Sequence, residues 1–208
     1  MAGAHGPDGG GGGPGLGYGR AVPPSRPDGV RLFVALEPPP EVREALAAWL
    51  REQRSIRALV RPVAAADLHL TLAFLGARPP HELERIADAV LAVGGTTTCR
   101  GLSLGAPLWL PRRPRALTVE VHDDRGELGA LSAALDDALG GAVGWKPDRP
   151  LRPHVTVGRR DAGLPLPDRP LAPTPALGFA AEALTLFRSE LRPDGARYSA
   201  VERAGLED

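Results

Sequence analysis

Two short strings in this 208-residue chain, His69-Leu70-Thr71-Leu72 and His154-Val155-Thr156-Val157, repeat one pattern: His, apolar, Thr, apolar. Strict alternation is the signature of a half-buried strand, in which residues two apart share a face. The pattern therefore sets His69 and Thr71 on one side of a strand and Leu68, Leu70 and Leu72 on the other. His154 and Thr156 behave likewise, backed by Val155 and Val157. One such string has a plain structural reading, a core or turn His beside a good strand former. Two matched copies point to chemistry held up on the polar faces of two strands around one substrate atom.

The rest of the chain supplies two similar surroundings for these strands. RLFVAL, opening at Val30, reads as a buried strand. Val42, Leu46, Trp49 and Leu50 have helical spacing over Pro40 to Arg54. A short strand over Ala58–Pro62 precedes the first motif strand, Leu68–Leu75, which Gly76 is expected to end. A helix over Glu82–Val93 follows, with Leu83, Ile86, Ala87 and Val90 as its apolar stripe.

The second pass has strands over Cys99–Leu110 and Ala116–Val121, separated by an Arg- and Pro-rich loop. A helix over Leu128–Leu139 is expected to start at a cap by Asp123 or Asp124 and to stop at Gly140-Gly141. The second motif strand spans Arg152–Gly158, and a hairpin of Ala180–Phe187 with Arg197–Glu202 turns through Pro193-Asp194-Gly195. Two strand-and-helix lobes, each with one motif strand, imply an α+β fold. Its mostly antiparallel sheets carry helices on their outer faces and line a cleft with their inner faces. Residues 1–29, rich in Gly and Pro with an unbroken run Gly9–Gly13, have too little apolar surface to offset ordering. They are expected to be a disordered extension, with one folded domain over 30–204.

Composition excludes several classes of function. The formal net charge is zero, so broad electrostatic adhesion to nucleic acid is not expected. A local anion site remains open, because nearly all the positive charge is Arg, whose planar fork binds phosphate bidentately. Cys99 is the only cysteine, which rules out an internal disulfide and a cysteine-based zinc site. No apolar run reaches transmembrane length and the N-terminus lacks an apolar signal core, so a cytoplasmic protein is expected.

Two imidazoles flanking one centre suit a reaction that removes one proton and delivers another. Two hydroxyls beside them can donate to the non-bridging oxygens of a phosphoryl group. The set fits in-line displacement at phosphorus without a metal. It fits acyl transfer poorly, since Ser189 and Cys99 are each isolated from the motifs. Asp67 and Asp161 are the carboxylates near the motifs, and neither has a familiar ligand spacing, so no metal and no cofactor is expected. His81 and His122 lack the motif and read as surface or loop residues, and His5 in the extension reads as inert.

The paired HLTL and HVTV strings resemble those of the two-histidine (2H) phosphoesterase superfamily. Within it the chain resembles the bacterial and archaeal RNA 2′,3′-cyclic phosphodiesterases, often called 2′-5′ RNA ligases. The likeness spans about Val30 to Glu202. It is carried by RLFVAL, LHLTLAFLG, RPHVTVGR and the ending LFRSELRPDGARYSAV, with Ser189, Leu191, Gly195 and Tyr198 in matching places. Asp67 departs from the Asn often found before the first His, and LTVEV replaces a more aromatic central strand.

The resemblance implies a bilobal fold with a pseudo-two-fold axis through the cleft, and hydrolysis of a terminal 2′,3′-cyclic phosphate to a 2′-phosphomonoester. It implies His69 as general acid, His154 as general base, and Thr71 and Thr156 as phosphate ligands, with 2′-5′ ligation as a side activity. Arg159 either adds charge to the phosphate site or ends a strand in solvent. Phe33 and Phe74 either stack on a base or, by the favoured reading, belong to the core. Arg112, Arg113 and Arg115 either guide RNA or form a plain solvated loop. The expected partners are RNA 3′ ends bearing a cyclic phosphate, tRNA fragments among them, met by a monomer. Two alternatives remain: a phosphodiesterase for small cyclic phosphates such as ADP-ribose cyclic phosphate, and a non-catalytic binder of phosphate-terminated RNA.

Overall fold

The computed structural model describes residues 29–56, 58–110, 116–160, 170–192 and 195–206. Residues 1–28 of the Gly/Pro-rich extension, the loop arginines Arg112, Arg113 and Arg115, Asp161, and the turn at 193–194 lie outside the described residues. The order is β1 (Val30–Glu37), α1 (Pro40–Glu52), β2 (Arg61–Pro62), β3 (Leu70–Arg78), α2 (Leu83–Gly94), β4 (Leu102–Leu110) and β5 (Ala116–Asp123). Then come α3 (Glu127–Val143), β6 (His154–Arg159), β7 (Gly178–Phe179), β8 (Ala183–Arg192) and β9 (Gly195–Gly205). None of the described helices is long and apolar enough to cross a membrane.

The strands form one curled antiparallel sheet in the order β7-β4-β5-β6-β3-β1-β8-β9, with β2 added alongside β6. The two expected sheets are its two halves. β3, β1, β8 and β9 make one, β6, β5, β4 and β7 make the other, and the motif strands β3 and β6 meet at the seam. A single residue pair, Leu70 with Val155, joins the halves there. β1 lies mid-sheet between β3 and β8, which is why Leu32 to Leu36 are all buried and the run carries no polar alternation.

Each helix turns an apolar stripe to the core. α1 buries Val42, Leu46, Trp49 and Leu50, and α3 buries Leu128, Leu131, Leu135 and Leu139 at the expected spacing. In α2 the buried stripe is Ile86, Ala89, Val90 and Val93, rotated from the expected one because Ala87 stays half-buried.

α3 departs from expectation at both ends. Its N-cap is Gly126 in the left-handed conformation (φ 75°), and Asp123 reaches in from outside, its Oδ2 accepting the Gly129 N–H at 2.9 Å. The helix runs through Gly140 and Gly141 and stops at Gly144 (φ 66°). Glycine in a helix interior costs only about 1 kcal/mol against Ala. Burial of Leu139 and packing of Ala142 and Val143 on the core outweigh that cost.

Two glycines of this layer make opposite predictions. A Cβ on Gly94 would fall 2.3 Å from the Cβ of Ala204, where α2 crosses β9, and neither atom belongs to a flexible side chain. Gly94→Ala should lower stability by about 1–3 kcal/mol. A Cβ on Gly141 meets nothing within 4 Å. Gly141→Ala should raise stability by about 0.4–1 kcal/mol. Urea midpoints at unchanged m-value check both.

Candidate active site

The pairing of Leu70 with Val155 sets the geometry of everything above it. Both side chains are fully buried on the core face, so their neighbours rise on the opposite, concave face. In antiparallel register His69 then lies across from Thr156, and Thr71 across from His154. The four groups form a diagonal square. Along each strand its His and Thr stand about 6.8 Å apart, twice the strand rise, and the two strands are joined by the single pair between them. The four predicted residues are thus brought together, all half-buried.

Both rings are held by the same device. His69 Nδ1 lies 2.7 Å from the carbonyl of Asp67, and His154 Nδ1 lies 2.6 Å from the carbonyl of Arg152. A carbonyl only accepts, so each Nδ1 carries the hydrogen, and each neutral ring presents an unprotonated Nε2. The chain is stiff before each His. A 3₁₀ turn over Ala65–Asp67 leads into the first, and the Pro153 carbonyl ahead of the second accepts from Val121 N–H at 3.1 Å. The acceptor at 67 is backbone, so Asp in place of Asn there leaves the orientation intact.

Plain alternation fails at the third residue past each His, and it fails in the same way. In β3 the register with β1 skips Leu72, and in β6 the register with β5 skips Val157. Each is a β-bulge, one extra residue that reverses the facing of all that follow. Leu72 is accordingly half-buried and no longer part of a regular core stripe, while Ala73 and Gly158 turn to the core. Phe74 and Arg159, each five residues after its His, return to the concave face. Phe74 is 65% exposed, which corrects its reading as a core residue. β3 also continues past Gly76 to Arg78, because Gly76 takes a positive φ of 70° at a second bulge, where the register skips Leu75.

The two sides of the square differ. Beside His69 stands an aromatic wall: Phe33 at 5.0 Å between ring centroids, Tyr198 edge-on at 5.4 Å and Phe187 at 6.0 Å. Phe33 stacks on Phe187 at 5.1 Å and is nearly buried, so it forms the floor of the wall while Phe74 is its open ring. The Trp145 indole N–H anchors this edge by donating to the Phe74 carbonyl at 3.2 Å. The sequence reading assigned no site role to Phe187 or Tyr198. For Phe187 a signal was available in the period-two spacing of Thr185, Phe187 and Ser189.

Beside His154 the wall is polar. Glu120 lies directly across from it and pairs with Arg152 at 3.6 Å. Thr118 faces Thr156 and is fully buried, its hydroxyl donating to the Leu108 carbonyl at 2.8 Å.

The aromatic surroundings act on the charge of His69. Burial is the main cause holding its pKa below the ordinary value, with the Arg159 and His154 charges adding to it. The hydrogen bond to Asp67 and that residue's charge oppose the shift without reversing it. Cys99 is buried, and burial with the nearby carboxylates of Asp123 and Glu127 pushes its thiol up to about 12, so it is no nucleophile at neutral pH. Ser189 lies at the far end of the wall opposite Tyr198 in the β8–β9 ladder. His122 shares the concave face of β5 beyond Glu120, and His81 sits in an exposed turn on the way to α2, so neither joins the square.

Two NMR signatures follow. Both site histidines should show the Nδ1–H tautomer by nitrogen chemical shift. His69 should titrate below the ordinary histidine value, and inorganic phosphate should move its titration upward, because an anion beside the ring favours the cation.

The model of the 2′-5′ RNA ligase superfamily matches residues 38–192. A Thermus thermophilus protein named RNA 2′,3′-cyclic phosphodiesterase is 35% identical over 195 residues, covering 85% of this chain and 90% of its own. An Escherichia coli protein of the same name is 31% identical over 183 residues, covering 85% of this chain and 96% of its own. Among solved structures, TT0787 of Thermus thermophilus superposes with a TM-score of 0.71 at 31% identity, over 85% of this chain and 97% of that one. Escherichia coli LigT complexed with 3′-AMP gives 0.69 at 27% identity, over 86% and 99%. The span 38–192 holds both motif strands with Phe74 and Phe187, and Phe33 and Tyr198 flank it. The chain belongs to the 2′-5′ RNA ligase superfamily.

Proposed function

We propose that the protein hydrolyses the 2′,3′-cyclic phosphate at RNA 3′ ends to a 2′-phosphomonoester. In this reading His154 is the general base, His69 the general acid, and Thr71, Thr156 and Arg159 hold the phosphate. The observation that carries it is the diagonal square, in which two Nε2 atoms and two hydroxyls share one face across one strand pair. Support comes from relatives at 35% and 31% identity that bear the name of this activity. The solved complex of LigT with 3′-AMP supports a nucleotide-sized ligand.

A water oxygen attacks phosphorus in line with the P–O3′ bond while His154 Nε2 takes its proton. The P–O3′ bond breaks, and His69 Nε2 delivers its proton to O3′, leaving a 2′-phosphate and a 3′-hydroxyl. The hydroxyls of Thr71 and Thr156 donate to the non-bridging oxygens, and Arg159 balances their charge. Protein groups thus supply both proton transfers and the countercharge, so the step needs no metal. The terminal base stacks on the aromatic wall, Phe74 contributing about 1–3 kcal/mol. With an RNA 5′-hydroxyl attacking in place of water, the same displacement forms a P–O5′ bond as P–O3′ breaks, which is a 2′-5′ ligation without ATP.

Hydrolysis of an oligoribonucleotide ending in a 2′,3′-cyclic phosphate tests the reading. His69→Ala and His154→Ala should each lower kcat by about 10²–10⁴, and EDTA should leave the wild-type rate unchanged. Full activity in either variant would overturn the assignment.

The pH profile tests the role of His69. As the acid it must be protonated, and its surroundings hold its pKa below 6.5 in the free protein. The alkaline limb of kcat/KM, which reports free enzyme, should therefore fall below that value, while the limb of kcat lies higher because bound phosphate favours the cation.

A further inference from the structure

The floor of the cleft has two ends, and they differ in charge. At one end His154 stands across from Glu120, whose carboxylate pairs with Arg152 at 3.6 Å. At the other, past Thr156, β6 runs beyond its contact with β3 and takes β2 as its neighbour instead. β2 and β3 thus form one interrupted line along β6, broken by the 3₁₀ turn that leads into His69.

β2 has two residues, and its register sets Arg61 directly across from Arg159 and Pro62 across from Gly158. The neighbours of Arg61 decide which way it faces. Val60 and Pro62 line an apolar hollow with Leu50 and Ile56, and Val60 Cγ1 fills the space that a Cβ on Gly158 would take. Arg61 lies between these two and turns the opposite way, to the face that carries Arg159 and the histidines. Arg160 turns away from that face, its guanidinium 5.9 Å from the centre of the Trp109 ring. The ladder therefore sets two exposed arginines side by side at the His69 end. Like charges directly across a strand pair repel, and a bound anion reverses the sign of that arrangement. Asp67 also belongs to this end, its charge acting on His69, and the two guanidiniums outnumber it.

The place of the pair indicates which anion it suits. The register with β5 puts the Arg159 row one strand repeat, about 6.8 Å, beyond the row of Thr156. A 2′,3′-cyclic phosphodiester carries one negative charge, which Arg159 and the proton on His69 already meet. In an RNA end the next charge is the phosphodiester that joins O5′ of the terminal nucleoside to the rest of the chain. At the His154 end that group would approach Glu120, and at the His69 end it meets Arg61.

We propose that Arg61 binds the phosphodiester on the 5′ side of the terminal nucleotide and so makes the protein favour an RNA end over a free nucleoside cyclic phosphate. The proposal rests on the phosphodiesterase reading above and adds to it the class of substrate. Arg61 makes no contact with the reacting atoms, and its contribution is to binding.

The test compares adenosine 2′,3′-cyclic phosphate with the dinucleotide ApA ending in the same cyclic phosphate, which adds one phosphodiester on the 5′ side. Wild type should have a kcat/KM about tenfold higher on the dinucleotide. Arg61→Gln should lower that value about tenfold, mainly through KM, and leave the mononucleotide within about twofold. The slope of log KM against log salt for the dinucleotide should fall by about 0.7, the mark of one lost phosphate contact on a single strand. Arg61→Lys keeps the charge and should retain most of the preference. Equal losses on both substrates would put Arg61 on the cyclic phosphate itself and overturn the proposal. Dinucleotide kinetics within about twofold of wild type in Arg61→Gln would overturn it as well, and either result leaves the phosphodiesterase reading standing. Turnover of neither substrate by wild type overturns that reading, and the proposal falls with it.

Discussion

β3 and β6 touch through Leu70 and Val155, two side chains that see no solvent, and the contact has two consequences. It joins four strands on the β3 side to five on the β6 side, β2 among them, and it turns two separate motifs into one site. Antiparallel register converts the sequence order His-x-Thr on each strand into a diagonal arrangement in space. Each His gains the other strand's Thr as its neighbour. The motif strands part on either side of this contact, which leaves the polar face open to a ligand while the apolar face stays closed by α1 and the core.

The bulges add what a regular pair of strands lacks. A bulge leaves one residue unpaired and weakens the ladder locally, so its persistence at the same offset in both halves calls for a reason. Without it Phe74 and Arg159 would face the core, where an Arg has no place and where Ala73 and Gly158 now pack. Gly158 shows how tight that packing is, since a Cβ there would lie 2.2 Å from Val60 Cγ1. Sheet irregularity, core packing and site composition are therefore one constraint. The aromatic rings it gathers also desolvate His69, which joins the choice of a base-stacking wall to the acidity of the group beside it.

Much of this was legible in the chain. Period-two alternation assigned the faces of His69, Thr71, His154 and Thr156, because burial of Leu70 and Val155 enforces it. The helical stripes of α1 and α3 were legible for the same reason. The bulges were not, since an extra residue leaves no mark in composition. Phe74 was consequently read as core, and Leu72 as a regular inward residue. The stop assigned to Gly140-Gly141 failed because tertiary burial of Leu139 outweighs a modest glycine penalty. β7, two residues paired to the edge of β4, is too short to have a pattern. The aromatic wall draws Phe33, Phe187 and Tyr198 from three strands, and only the order of the sheet brings them together.

The central claim is that the two imidazoles act as one unit across the seam, and a double-mutant cycle on kcat tests it most directly. His69→Ala, His154→Ala and the double variant are compared on an oligoribonucleotide ending in a 2′,3′-cyclic phosphate. Groups that move two protons in one displacement are strongly non-additive, so the double variant should be no slower than the slower single variant, within about twofold. Losses that multiply, with each single variant retaining its own share of the rate, would mean that the histidines act independently and would contradict the account.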